Sequence, residues 1–256
     1  MPENNNLTET ERKQKKIALL LAITFVFLIL LYFLIISFIF AWADWVSMLI
    51  FTLLFIVPAY ISNASMVFTG GGKPIDGGRN FRDGRRILGD HKTWNGLKGP
   101  LYIGIPISFF IFLLFNVLWI SIKEIILDGL VHGQYILYST VDVFKYYFIG
   151  GEFPINFIIL IVRIILASYG AVIGDLIGSF LKRRVNIKSG APFWIIDQLD
   201  FALCALLFAS IPSFFFPTYF LLPDIFIIIF LLILTPAVSI IANTVAYIAG
   251  VKEVPW

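Results

Sequence analysis

Hydrophobic residues run along this chain in long blocks, not in the two-residue alternation of strands. Stretches long enough for a helix to cross a hydrocarbon core, roughly 20 residues, lie near 17–42, 45–68, 101–122, 153–181, 196–216 and 221–249. The pattern predicts an all-α, polytopic membrane protein with six transmembrane helices. Only "AWADWV" separates the first two, and Trp42, Asp44 and Trp45 read there as an interfacial turn with an aromatic belt. The first block could be an uncleaved signal-like segment, but no small-residue cleavage site precedes the next apolar run, so it is read as a helix. Residues 123–152 read as an outer loop, partly helical.

Polar positions gather between these blocks. Of 19 lysines and arginines, 16 fall in 1–16, 69–100, 182–195 and 250–256, which all face one side if the N-terminus is inside. The positive-inside rule then sets both termini and both basic loops, 69–100 and 182–195, in the cytoplasm. A composition that is 59% hydrophobic and 17% aromatic excludes a water-facing fold, and a single cysteine, Cys204, excludes a disulfide framework.

A loop that only oriented the chain would need nothing beyond its lysines and arginines. The segment "GGGKPIDGGRNFRDGRRILGDHKTWNG" instead interleaves glycines, whose backbone amides can approach a ligand, with arginines suited to phosphate oxygens. Seven basic and three acidic residues between 69 and 100 suit a polyanion such as a triphosphate, and no GxxxxGK[ST] is present. In the second loop, "GDLIGSFLKRRVNIKSGAPFWIIDQLD", Asp175 stands inside an apolar run, where an ionisable group is a functional candidate. Helical spacing sets Ser179 and Lys182 on its stripe. Asp197 and Asp200 follow at i, i+3 on the next helix, so three carboxylates are expected to converge at the inner mouth.

These residues carry a resemblance. Gly174-Asp175-Leu176, Ser179, Lys182, Arg183 and Lys188 leading to Asp197-x-x-Asp200, with "KTWNG" at 92–96, resemble the CDP-diacylglycerol synthase superfamily. "PIDGGRNFRDGRRILGDHKTW", "GDLIGSFLKRR", "DQLDF" and "ANTVAYIAGVKEVPW" are similar to its archaeal branch, the CDP-archaeol synthases, over about 55–256. Bacterial relatives have Asp after the second signature lysine, where Ser189 stands here, and the branch more often has arginine in place of Asn95. The resemblance implies a five-helix core in 45–256, with 1–44 adding a tail and an extra helix.

It also implies transfer of CMP from CTP to an isoprenoid ether-lipid phosphate, with release of pyrophosphate. Mg²⁺, one or two ions and replaceable by Mn²⁺, would be held by Asp175, Asp197 and Asp200. Lys182, Arg183 and Lys188 would complete the catalytic set. Nucleotide binding would fall to Arg79, Asn80, Arg85, Arg86, Gly89, Asp90, Lys92, Thr93 and Ser179, with Asp76, Asp83, Asn63 and Asn243 as further candidates. The implied partners are CTP, the lipid phosphate and the membrane, with no nucleic acid, and oligomeric state is left open. A transporter, a CDP-lipid phosphotransferase and a CTP-dependent polyprenol kinase are the rival readings. Their marks would be internal repeats and broken helices, a DGxxAR run, or CDP as product.

Overall fold

The computed structural model describes residues 9–133, 141–187 and 191–248, and these are helical with no strand among them. Six helices are long and apolar enough to cross a membrane, over Arg12–Ser37, Trp42–Phe68, Trp94–His132, Ile155–Arg184, Trp194–Phe214 and Ile225–Tyr247. The elements are α1 (Glu9–Ser37), α2 (Trp42–Phe68), a short α3 (Trp94–Gly99), α4 (Ile105–His132), α5 (Val141–Ile149), α6 (Ile155–Arg184), α7 (Trp194–Ser210) and α8 (Ile225–Ile248). A π-helical turn, Pro100–Gly104, joins α3 to α4, so the third crossing begins earlier than hydropathy alone indicates.

Small residues decide how closely these helices approach. A Cβ on Gly99 would lie 2.7 Å from the Ser65 carbonyl oxygen, and one on Gly104 would lie within contact of the Ser62 hydroxyl. Glycine at both positions lets the start of the third crossing press against α2. Asp44 accepts from the Ala41 amide at 3.1 Å and starts α2, while its carboxylate sits against Gly129 of α4 and Gly133, which caps that helix. The turn itself falls at 38–41, and Trp42, Asp44 and Trp45, expected in it, form the first turn of α2, a packed joint against α4.

The 123–152 segment differs from its expected form. Helix α4 continues to His132, and α5 folds back into the bundle, with Phe144, Tyr147 and Phe148 nearly inaccessible. Their rings meet Phe51 of α2 with centroids 5.0, 4.7 and 4.4 Å away. Closing α5 requires partners for its last carbonyls. Arg163 of α6, only 3% exposed, supplies them by donating to Tyr147 O at 2.8 Å and Tyr146 O at 3.2 Å. Helix α1 lies mainly against α8 through Ala22, Phe25, Ala237 and Ile240.

Candidate active site

The contact between α6 and α7 builds the site. Gly170, Gly174 and Gly178 recur every four residues along α6, hence on one face. Added Cβ atoms there would meet α7: Gly170 at 2.8 Å from Ala205 Cα, Gly174 against the Asp200 carbonyl, and Gly178 against the Asp200 carboxylate. The bare stripe thus lets Asp200 lie directly over α6, one turn from Asp175. The small-residue spacing in "GAVIGDLIGS" is the sequence signal for this close approach.

The 69–93 loop has its own interior. Asp76, 8% exposed, accepts from the Gly78 amide at 3.1 Å, the Leu88 amide at 3.0 Å and the Gly89 amide at 3.1 Å, and is gripped by Arg86 at 2.9 and 3.2 Å. Burial alone would raise this acid's pKa, but the Arg86 guanidinium and the three amides outweigh it and hold the carboxyl well below the usual range. Bridges pair Pro74 with Thr93 and Asn80 with Arg86. Gly77 (φ 57°), Gly78 (φ 80°) and Gly84 (φ 77°) take the left-handed turns this path needs.

Two contacts fasten the loop to the bundle. At its base, Lys92 Nζ lies 2.6 Å from Asp175 Oδ2, joining residues 83 positions apart. At its tip, Arg184 approaches Asp83 at 3.2 Å and donates to the carbonyls of Arg85 and Arg86, while Arg85 donates back to the Arg184 carbonyl.

A cavity of about 440 Å³ opens where the loop base meets α2 and α6; its lining includes Asn63, Gly70, Gly71, Gly72, Asp90, His91, Lys92, Thr93 and Asp175. A smaller one of about 100 Å³ adjoins it, lined by Leu88, Gly89, His91, Lys92, Ser179, Lys182 and Arg183. His91 and Lys92 border both. Lys182 Nζ is 2.8 Å from Asp197 Oδ2, which also accepts from the Phe193 amide at 2.9 Å.

The expected residues therefore divide. Asn63, Gly89, Asp90, Lys92, Thr93, Asp175, Ser179, Lys182 and Arg183 line the two cavities, and Asp197 and Asp200 flank them from α7. Thr93 also accepts from the Gly96 amide at 3.2 Å and caps α3. Asp76 and Arg86 form the loop interior, with Asp90 at 2.8 Å from Arg86 on its rim. Asp83 and Arg85 belong to the tip contact. Arg79 lines a separate recess with Lys73 and Trp94, and Asn80 is exposed. Asn243 lies half-buried in α8 and is not part of either cavity's lining, and Lys188 falls outside the described residues. Arg163 and Arg184, to which the sequence assigned nothing, prove to be structural partners.

The anticipated cluster of three metal-binding carboxylates is not gathered as such: among the described residues no three acidic, histidine or cysteine side chains stand in a metal-holding arrangement. Asp175 and Asp197 each hold a lysine instead. Asp200 accepts from the Phe201 amide at 2.5 Å. The donor set itself, three carboxylates on facing turns of α6 and α7, is the hard-oxygen chemistry that Mg²⁺ takes.

Fold and site define a class: a multi-pass membrane protein with an extramembrane loop clamped over carboxylates and cations, suited to a phosphate-bearing ligand. The family model described as CarS-like, CDP-archaeol synthase, matches residues 45–140 and 124–256. The CDP-archaeol synthase of Thermococcus kodakarensis is 39% identical over 212 residues, 83% of this chain and 99% of the relative. Those of Archaeoglobus fulgidus and Methanosarcina barkeri are 38% and 36% identical, covering 80% and 78% of this chain and 96% and 99% of the relatives. A solved structure described as an intramembrane enzyme for archaeal membrane lipids biosynthesis aligns with TM-score 0.45 and 25% identity, over 78% of this chain and 92% of that one. The chain belongs to the CDP-archaeol synthase family.

Proposed function

We propose that the protein transfers CMP from CTP to an isoprenoid ether-lipid phosphate, giving CDP-archaeol and pyrophosphate. The observation that carries this reading is the Lys92–Asp175 contact at 2.6 Å, which unites the glycine-rich loop and the intramembrane acid in one cavity lined by Asp90 and Thr93.

In the reaction a lipid phosphate oxygen bonds to the α-phosphorus of CTP as the bond to the β-phosphate oxygen breaks. A phosphomonoester is largely ionised near neutral pH, with a second pKa of about 6, so its attack needs no general base from the protein. What the protein must supply is alignment and charge neutralisation. Lys92, Lys182 and Arg183 line adjoining cavities and would grip phosphate oxygens on both sides of the scissile bond. Backbone amides at Gly70–Gly72 and the Asn63 amide would meet the nucleoside, and the apolar flanks of α2 and α6 leave the lipid tails in the bilayer. Asp175, Asp197 and Asp200 would hold Mg²⁺, which neutralises phosphate charge when bound. The active face is assigned to the cytoplasm, where the basic loops belong by the positive-inside rule.

Purified protein incubated with labelled CTP, Mg²⁺ and ether-linked or ester-linked lipid phosphate tests the reading. CDP-lipid and pyrophosphate are expected, with loss of turnover in Asp200→Asn and on chelation. CDP as the product, or undiminished turnover in Asp200→Asn and Asp197→Asn, would overturn it.

A further inference from the structure

The three consecutive cations that end α6 do different work. Lys182 faces Asp197 and Arg183 lines the smaller cavity, whereas Arg184 leaves the site and reaches the tip of the other loop. Its guanidinium carbon sits 4.8 Å from the ring centre of Phe81 and 4.6 Å from that of Phe180. The two rings are themselves edge-to-face, 5.3 Å apart. The same guanidinium approaches Asp83 at 3.2 Å and donates to two tip carbonyls, and its side chain is only 18% exposed. A planar fork can stack on rings while donating at its edges, whereas a lysine ammonium has neither the plane nor the spread of donors.

We infer that Arg184 is a positioning residue for the nucleotide: it latches residues 81–86 to the end of α6 and so fixes the wall formed by Leu88, Gly89, His91 and Lys92. This rests on the reading that the chain uses CTP. The loop is held at its base by Lys92 and at its tip by Arg184. Between these points run Leu88, Gly89 and His91, which complete the phosphate-sized cavity with Ser179, Lys182 and Arg183. Releasing the tip frees one side of that cavity while leaving Asp175, Asp197 and Asp200 on their helices. The latch therefore governs how well CTP is held more than how fast held CTP reacts.

Arg184→Lys keeps the charge and removes the fork, which separates a latch from a topology signal. Steady-state kinetics should show KM for CTP raised by about tenfold in Arg184→Lys and more in Arg184→Ala, the loss expected for a desolvated charge-assisted contact. The kcat and the KM for lipid phosphate should stay near wild type. Phe81→Ala should act in the same direction, and the double variant Phe81→Ala/Arg184→Ala should be little worse than Arg184→Ala alone, because both open one contact. An Arg82→Cys probe in a Cys204→Ala background should react faster with a soluble maleimide once Arg184 is replaced.

Unchanged KM for CTP in Arg184→Ala, additive losses in the double variant, or a uniform fall in kcat and both affinities would each overturn the latch. If the parent protein fails to turn over CTP, the proposed activity falls. The labelling rate at position 82 still decides whether Arg184 holds the tip.

Discussion

Gly178→Ala tests whether the position of Asp200, and not simply its presence, matters. The added methyl would overlap Asp200 Oδ2 and sit 2.8 Å from Cγ and 3.1 Å from Cβ, so its three nearest neighbours all belong to one side chain and the worst overlap is with that chain's movable carboxylate. That carboxylate can swing aside. Overpacking costs about 1–3 kcal/mol where neighbours cannot move, and replacing glycine within a helix returns about 0.5–1 kcal/mol. Because this neighbour can move, the cost stays at or below the low end of that range and the return offsets most of it, so stability should hold. The displaced carboxylate bears the consequence: a shift of about 1 Å in a reacting constellation can cost on the order of a hundredfold in rate.

Gly174→Ala is the contrast, because its methyl would meet the Asp200 carbonyl and lie 2.7 Å from the Asp200 carbonyl carbon and from Phe201 Cα, backbone that cannot rotate away. It should lower the unfolding temperature as well as turnover. The assay is CDP-lipid formation alongside thermal unfolding in one detergent. Wild-type kcat in Gly178→Ala would refute the argument that the glycine stripe exists to seat Asp200.

Four further outcomes follow from the geometry. Asp76→Asn removes the charge that Arg86 and three amides surround, and should expose the 69–93 loop to limited proteolysis with loss of CTP turnover, while the unfolding temperature of the bundle changes little. Because the Asp76 pKa is depressed when folded, its contribution is complete above the unfolded value of about 3.9 and is lost only as pH falls through the lower folded value; proteolytic protection of the loop should thus be flat from pH 5 to 8. Arg163→Met leaves the last carbonyls of α5 without donors and should cost about 3 kcal/mol or more of stability, read by thermal unfolding with kcat preserved in the folded fraction. Lys92→Met removes the partner of Asp175 and should tighten Mn²⁺ binding in the absence of nucleotide, measured by electron paramagnetic resonance, while turnover falls at least about tenfold; weaker Mn²⁺ binding would contradict the pairing logic. Cysteines placed at Gly77 and Lys145 in a Cys204→Ala background should label from opposite sides of the membrane, and labelling from one side would reverse the assigned topology.

The six crossings were legible because hydropathy needs only a run of neighbours, and the charge of both basic loops was legible for the same reason. Asp175 announced itself by its cost in an apolar helix. Side-chain partners were another matter. Nothing in local spacing says that Lys92 meets Asp175 or that Arg184 meets Phe81, since those pairs depend on how a turn-rich loop folds over a helix end. The same gap explains Asp76 and Arg86. Their residue types suit nucleotide binding, yet a carboxylate that accepts three amides from two glycine-containing segments is as well suited to organise those segments, and the structure uses it so. Helix α5 was obscured for a different reason: its aromatic face alternates with Asp142 and Lys145, which reads as a surface segment until Arg163 is seen closing its end.

The lysine–aspartate pairs give the site a way to stay balanced while it is empty of ligand. Isolated carboxylates at a membrane face would be costly to desolvate, and removing one partner of such a pair strands the other. Here Lys92, from the loop, neutralises Asp175, and Lys182, from α6, neutralises Asp197 of α7. A triphosphate arriving with a divalent cation brings both signs of charge at once. In the proposed reading Asp175 and Asp197 would turn to the cation and their freed lysines to the phosphates, so each member of the two pairs would trade one counter-charge for another, while Asp200, which accepts from the Phe201 amide, would gain one. Because Lys92 is also the base of the loop, that exchange couples nucleotide arrival to the seating of the loop itself. The latch at Arg184 is independent of the exchange, which keeps the tip in register while the base changes partners.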